Sequence, residues 1–291
     1  MLLSYIVVLA SLAAADTAPA VSPELQARSL AVLHEALKEG KVWVKVHAAE
    51  SLLWTGHPEG VRDLFLKEAE SAGTFYRIGV WRVLAQATSN PDERKAYTEK
   101  IAAVLLDPKA EDRAHAAETL GKLGYSTHDP EVVRLAQVET GSTLPLMRWV
   151  LANSGDAKDE AALAELLDST DVDSRGCAAY AFRFFKKLRP ETYAKLAAAA
   201  AKEPADSSRC VLLLSALYLH APESERPAIH DKLLAFASRG TTEDKREVCA
   251  ALGRLPRAQD LPVFVPILDD PDLDARAGAA EAILRVENST K

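Results

Sequence analysis

The chain has 291 residues, 48% of them hydrophobic and 26% charged, the balance of a folded soluble protein and not of a disordered one. Asp and Glu exceed Lys and Arg by 42 to 35, and the resulting charge of −7 disfavours duplex nucleic acid and anionic membrane surfaces as partners. Three cysteines exclude a disulfide framework, and with only 13 glycines, fewer than a many-turned β architecture usually needs, composition leans helical.

Taken from the start, Met1 to Ala15 is an almost wholly apolar run with no ionisable side chain, too short at about 15 residues to span a bilayer. It fits the core of a secretory signal, with cleavage expected before Asp16 or else after Ala20. The basic residue that usually precedes such a core is missing. No cysteine follows the run to carry a lipid, and no later segment is apolar enough to cross a membrane. The expectation is a signal peptide over 1–15, possibly to 20, and an exported mature chain without a transmembrane segment.

From residue 23 to 287 the chain repeats itself. A basic residue, two variable positions, a small pair and a further apolar residue recur as Lys45-VHAAESL, Arg77-IGVWRVL, Arg113-AHAAETL, Arg175-GCAAYAF and Arg276-AGAAEAI. Looser copies start at Arg148, Arg209 and the pair Lys245-Arg246. Successive spacings average 33 residues, a period that signals a stacked array. Ala116, Ala117, Leu120 and Leu123 fall at helix-face spacing, and Gly56 and Gly124 stand where left-handed C-terminal caps belong. Further helices are expected over 58–70, 92–106, 130–140, 159–167 and 190–202, several opening on Pro, Asp or Glu. Each unit therefore reads as a helical hairpin, and the absence of a linker predicts one domain over 23–287.

These copies, most clearly residues 105–124 and 267–286, resemble the HEAT family of repeats, in particular its alanine-rich bacterial subtype shared with phycobilin lyases. The resemblance implies an all-α fold, a right-handed α-solenoid of about eight hairpins, with the second helices lining a concave surface. It also implies that the basic column pairs with aspartates of neighbouring units and so fixes their stagger. It says little about activity, because such arrays host many tasks.

Chemistry-bearing residues are sparse. His47-x-x-Glu50 and His115-x-x-Glu118 each put two possible ligands on one helix face, but they lie two units apart, about 20 Å, and cannot share an ion. No metal or other cofactor is expected. Cys177, Cys210 and Cys249 sit near the basic column, as small buried residues would. No phosphate loop, nucleophile elbow or paired-thiol motif occurs, so no catalytic residue is assigned.

What remains is a strip. Trp149, one place after its basic residue, should face outward, and the position five after the column holds Glu50, Arg82, Glu118, Asn153 and Tyr180. Polar and aromatic strips on concave surfaces are where arrays grip partners. The expectation is a non-catalytic scaffold that binds a protein or peptide through these six residues, and not nucleic acid. A tetrapyrrole (bilin) lyase or isomerase is the rival that the resemblance suggests, and a nucleic-acid repair protein the second.

Overall fold

The computed structural model describes residues 21–289, so the apolar run at 1–15 and its two cleavage positions lie outside the described residues. The described chain is all-helical. In order the helices are α1 (Pro23–Glu39), α2 (Trp43–Trp54), α3 (Val61–Ala69), α4 (Tyr76–Ala87), α5 (Pro91–Leu106) and α6 (Arg113–Lys122). There follow α7 (Pro130–Val138), α8 (Thr143–Ala152), α9 (Ala157–Glu165), α10 (Val172–Phe182) and α11 (Pro190–Lys202). The last five are α12 (Ser208–His220), α13 (Arg226–Arg239), α14 (Thr242–Arg254), α15 (Leu261–Ile267) and α16 (Leu273–Ser289).

Local chemistry sets most of these boundaries. Pro23, Pro91, Pro130 and Pro190 occupy first-turn positions, where a missing N–H costs nothing. Ser22, Asn90, Asp129 and Ser207 accept hydrogen bonds from otherwise orphaned N–H groups, and Thr241 with Asp244 forms a reciprocal capping box. Gly56 and Gly124 have the expected positive φ, 84° and 68°. The helix expected from residue 58 starts later, at Val61, because Gly60 turns through the left-handed region with φ 75°. The helix expected to reach 140 stops at Val138, where Glu139 is extended and Gly141 has φ 60°.

Each even-numbered helix packs on the next even-numbered one, and α16 packs on α2. The eight inner helices thus close into a ring. The alanine pairs make the close approaches possible: Ala48-Ala49, Ala116-Ala117 and Ala279-Ala280 are all fully buried. Odd-numbered helices lie outside, and α1 seals the closure by packing on both α2 and α16. One hydrophobic core runs through the closure, joining Leu33, Leu52 and Val83 with Leu252, Ile283 and Val286. A second core holds the middle of the chain, from Ile78 to Leu217.

Polar contacts fasten the same seam. Arg276 forms a bidentate pair with Glu35 at 2.8 and 3.1 Å, Arg28 pairs with Asp269, and Asn288 donates to the carbonyl of Thr55. The aspartate pairing is present in part. Arg77 grips the buried Asp112 of the following unit through two bonds of 2.8 and 2.9 Å, and Arg246 meets Asp274 at 3.2 Å. Arg113 uses Glu139 instead, Arg209 uses Glu203, and Arg175 donates to the carbonyl of Ser169. Asp171 caps its own helix, so its carboxylate is committed locally.

Candidate functional site

Closure changes the fate of the strip. Glu50 and Arg82 are 2% and 1% exposed and face each other across α2 and α4, with Nε–Oε1 at 2.7 Å and Nη2–Oε2 at 2.9 Å. Arg82 also donates to Thr119 Oγ1, and Gln86 Nε2 donates to Glu50 Oε1. Burial pushes the Glu50 carboxyl up, but the charges of Arg82 and Lys122 outweigh it and hold the group below the usual carboxylate range. Glu118 is treated likewise: Lys122, His115 and Arg82 together overcome burial and hold it well below that range. Tyr180 reaches past α8 to donate to Glu118 Oε1 at 3.1 Å.

Two of the six expected binding residues lie elsewhere than expected. Trp149 does not look outward; it is fully buried, with a tilted contact to Phe184 at 4.9 Å and an edge contact to Tyr180. The reason is Gly121, the smallest residue available on α6, which lets the indole lie flat against that helix. Asn153 ends α8 and donates to the carbonyls of Gly121 and Tyr125, satisfying the end of the neighbouring helix. Glu50, Arg82, Glu118 and Tyr180 do come together, but as a network that neutralises itself. Glu50, Arg82 and Trp149 are buried, whereas Glu118, Asn153 and Tyr180 are half-buried.

His47, on α2, and His115, on α6, have different partners. His47 Nδ1 meets Asp274 Oδ1 at 2.9 Å on the closing seam, where burial lowers its pKa against the pull of Asp274. His115 stacks against Trp43 and Phe75. The exposed His128 and Asp156 and the buried Asp159 bring ligand-type atoms within 4.8 Å of one another, and hydrogen bonding accounts for their positions. His128 meets Asp159 at 3.0 Å, and Asp156 caps α9. The three cysteines are free thiols.

The ring interior is nearly full. Its central cavity measures about 60 Å³, and no residue of α8 or α12 lines it. Arg183 crosses above α12 to pair with Glu247, and its guanidinium lies 4.8 Å from the rings of both Tyr180 and Phe184. Above this plug, at the C-terminal ends of the inner helices, the space widens to a mouth of about 340 Å³. Trp54, Gln86, Lys122, Phe184, Arg254 and Arg285 surround it, and Glu50 is the one carboxylate in its wall. A neighbouring hollow of about 630 Å³ shares Lys122 and Phe184 and adds Lys186, Lys187 and Arg189. Trp54 is 43% exposed, with Nε1 donating to Gln86 and Arg285 5.5 Å over its ring.

Sequence reasoning missed this mouth although a signal existed. Its residues fall nine places after the basic column: Trp54 from Lys45, Gln86 from Arg77, Lys122 from Arg113, Phe184 from Arg175 and Arg285 from Arg276, while Arg254 stands nine after Lys245 and eight after Arg246. Nine is one helical turn beyond the expected strip, on the same face.

No family model and no curated protein matches this chain. Among solved structures, a crystal structure of an engineered protein from the Northeast Structural Genomics Consortium is 18% identical, covering 89% of this chain and 77% of that one. The superposition gives a TM-score of 0.32, too low to carry an argument about fold or function.

Proposed function

We propose that this chain is an exported, non-catalytic HEAT-like array closed into a ring, and that it binds a protein or peptide partner at the mouth of that ring. Export rests on the apolar run ahead of Asp16, and the repeat family on the recurring basic and small residues. The observation that carries the binding reading is the mouth itself. It combines an exposed tryptophan, a cavity of ligand-sized volume and cationic side chains in a chain of net charge −7. An extended segment threaded through the ring is disfavoured, because about 60 Å³ admits roughly two waters. Lys186 and Lys187 are exposed and form no ion pair among the described residues, so they are available to a partner.

The test is affinity capture from a detergent-treated envelope extract, read by mass spectrometry. The control carries Trp54→Ala, Lys186→Ala and Lys187→Ala together, none of which removes a buried group. A partner held by the native chain and lost by the control is the expected result. Equal capture by both overturns the mouth as the binding face, and no specific partner overturns the binding role.

A further inference from the structure

The cations that face the ring interior are matched to carboxylates with one exception. Arg82 holds Glu50, Arg183 holds Glu247, Arg246 holds Asp274, and Arg285 holds Glu281 at 2.7 Å. Arg254, the last residue of α14, forms no ion pair among the described residues. A guanidinium has five N–H donors. Arg254 directs one, on Nη1, to the carbonyl of Arg183 at 2.6 Å. The C-terminal dipole of α14 also favours a cation here, and the other guanidinium N–H groups of Arg254 have no hydrogen-bond partner among the described residues.

We infer that Arg254 is the receptor for a carboxylate group carried on a ligand with an aromatic body, seated in the mouth. The inference rests on the reading of the mouth as the binding face and names the chemistry it selects. The Arg254 guanidinium carbon lies 4.4 Å from the Phe184 ring centroid, a cation–π contact that anchors the side chain in the mouth. A planar fork of parallel N–H groups matches a carboxylate bidentately. Trp54 and Phe184 supply apolar wall on the same cavity, where a ring would lie, and Lys122 adds a second cation. Burial, with the like charges of Arg183 and Arg285, lowers the Arg254 pKa to about 10, which is the mark of a cation short of counter-charge. It remains protonated at neutral pH. Glu50 in the mouth wall, and Glu281 in the cavity wall beneath, penalise a dianion, so a monoanionic carboxylate fits better than a phosphate monoester.

The carboxylate could belong to a free aryl acid or to a peptide C-terminus, and the test separates them. Calorimetric titrations at low salt would use phenylacetate, phenylacetamide and phenyl phosphate, then the tripeptide Gly-Gly-Phe with a free or an amidated C-terminus. At least one free acid should bind about tenfold or more tightly than its amide, and phenylacetate more tightly than phenyl phosphate. Arg254→Gln should lose about tenfold or more of that affinity, Arg254→Lys should lose less, and Arg134→Gln on the outer surface should lose none. Far-UV circular dichroism would confirm that each variant stays helical. Preference for the tripeptide acid assigns the site to peptide C-termini, and binding of phenylacetate alone assigns it to small acids. Acid and amide binding equally, full affinity in Arg254→Gln, or no binding of either acid at millimolar concentration overturns the inference. Carboxylate binding with equal partner capture by the Trp54 control would leave this site standing while placing the protein partner on another face.

Discussion

Replacing Glu50 by Gln keeps the shape of the side chain and removes one charge from the ring interior. Arg82 is 1% exposed, so it cannot turn to water for a substitute; it keeps Thr119 and a longer-range attraction to Glu118. Breaking one side of a buried pair usually costs about 3–5 kcal/mol. The residual attraction to Glu118 places the expected loss near the lower end, about 3 kcal/mol. In a chain of this size that lowers the melting temperature by about 6–12 °C. Urea unfolding should show a lower midpoint with an unchanged slope. The double variant Glu50→Leu with Arg82→Met should recover most of the loss, because both desolvation penalties vanish together. The pH sign follows from the depressed carboxyl. Its stabilising contribution is complete above the ordinary carboxylate pKa, about 4.3, and is lost as pH falls from there through the folded value. Glu50→Gln should therefore flatten part of the acid-side stability profile. A loss below about 1 kcal/mol, or a double variant no more stable than the sum of the single losses predicts, would refute a dry, closed interior.

The close approach of α6 and α8 is equally testable. A Cβ on Gly121 would sit 2.4–2.7 Å from the ring carbons of the fully buried Trp149, so Gly121→Ala should destabilise by about 1–3 kcal/mol in thermal unfolding, and an unchanged midpoint would contradict that packing. Removing α16 by truncation before Leu273 exposes the core faces of α1, α2 and α14, so hydrogen exchange should speed up in α1 and α2, more than 200 residues away in sequence; unchanged protection there would refute the closure. Burial raises the thiol of Cys177 to about 11 and that of Cys249 to about 12, so neither should react quickly with a disulfide reagent in the native state, whereas all three cysteines should react at full rate in denaturant. Rapid native labelling of Cys249 would show that the inner helices open readily.

Most of the inner helices and several outer ones are legible in the sequence. Caps at Ser22, Asn90 and Gly124 act within a few residues of chain, and the alanine pairs at period 33 reflect a contact every unit must make, so both are legible one unit at a time. The tertiary structure alone decided what those helices enclose. Curvature accumulates from small rotations between units, and no single residue encodes the sum. The pairings of Arg276 with Glu35 and His47 with Asp274 join residues more than 220 positions apart, and their spacing in sequence carries no hint of contact. Once the ring closes, the strip from Glu50 to Tyr180 turns from a surface into an interior, and low dielectric forces its charges to pair. One turn further along the same helices, Trp54 and Arg254 remain at the edge of that interior, where water still reaches. Their exposure is a property of the closed ring and not of either residue.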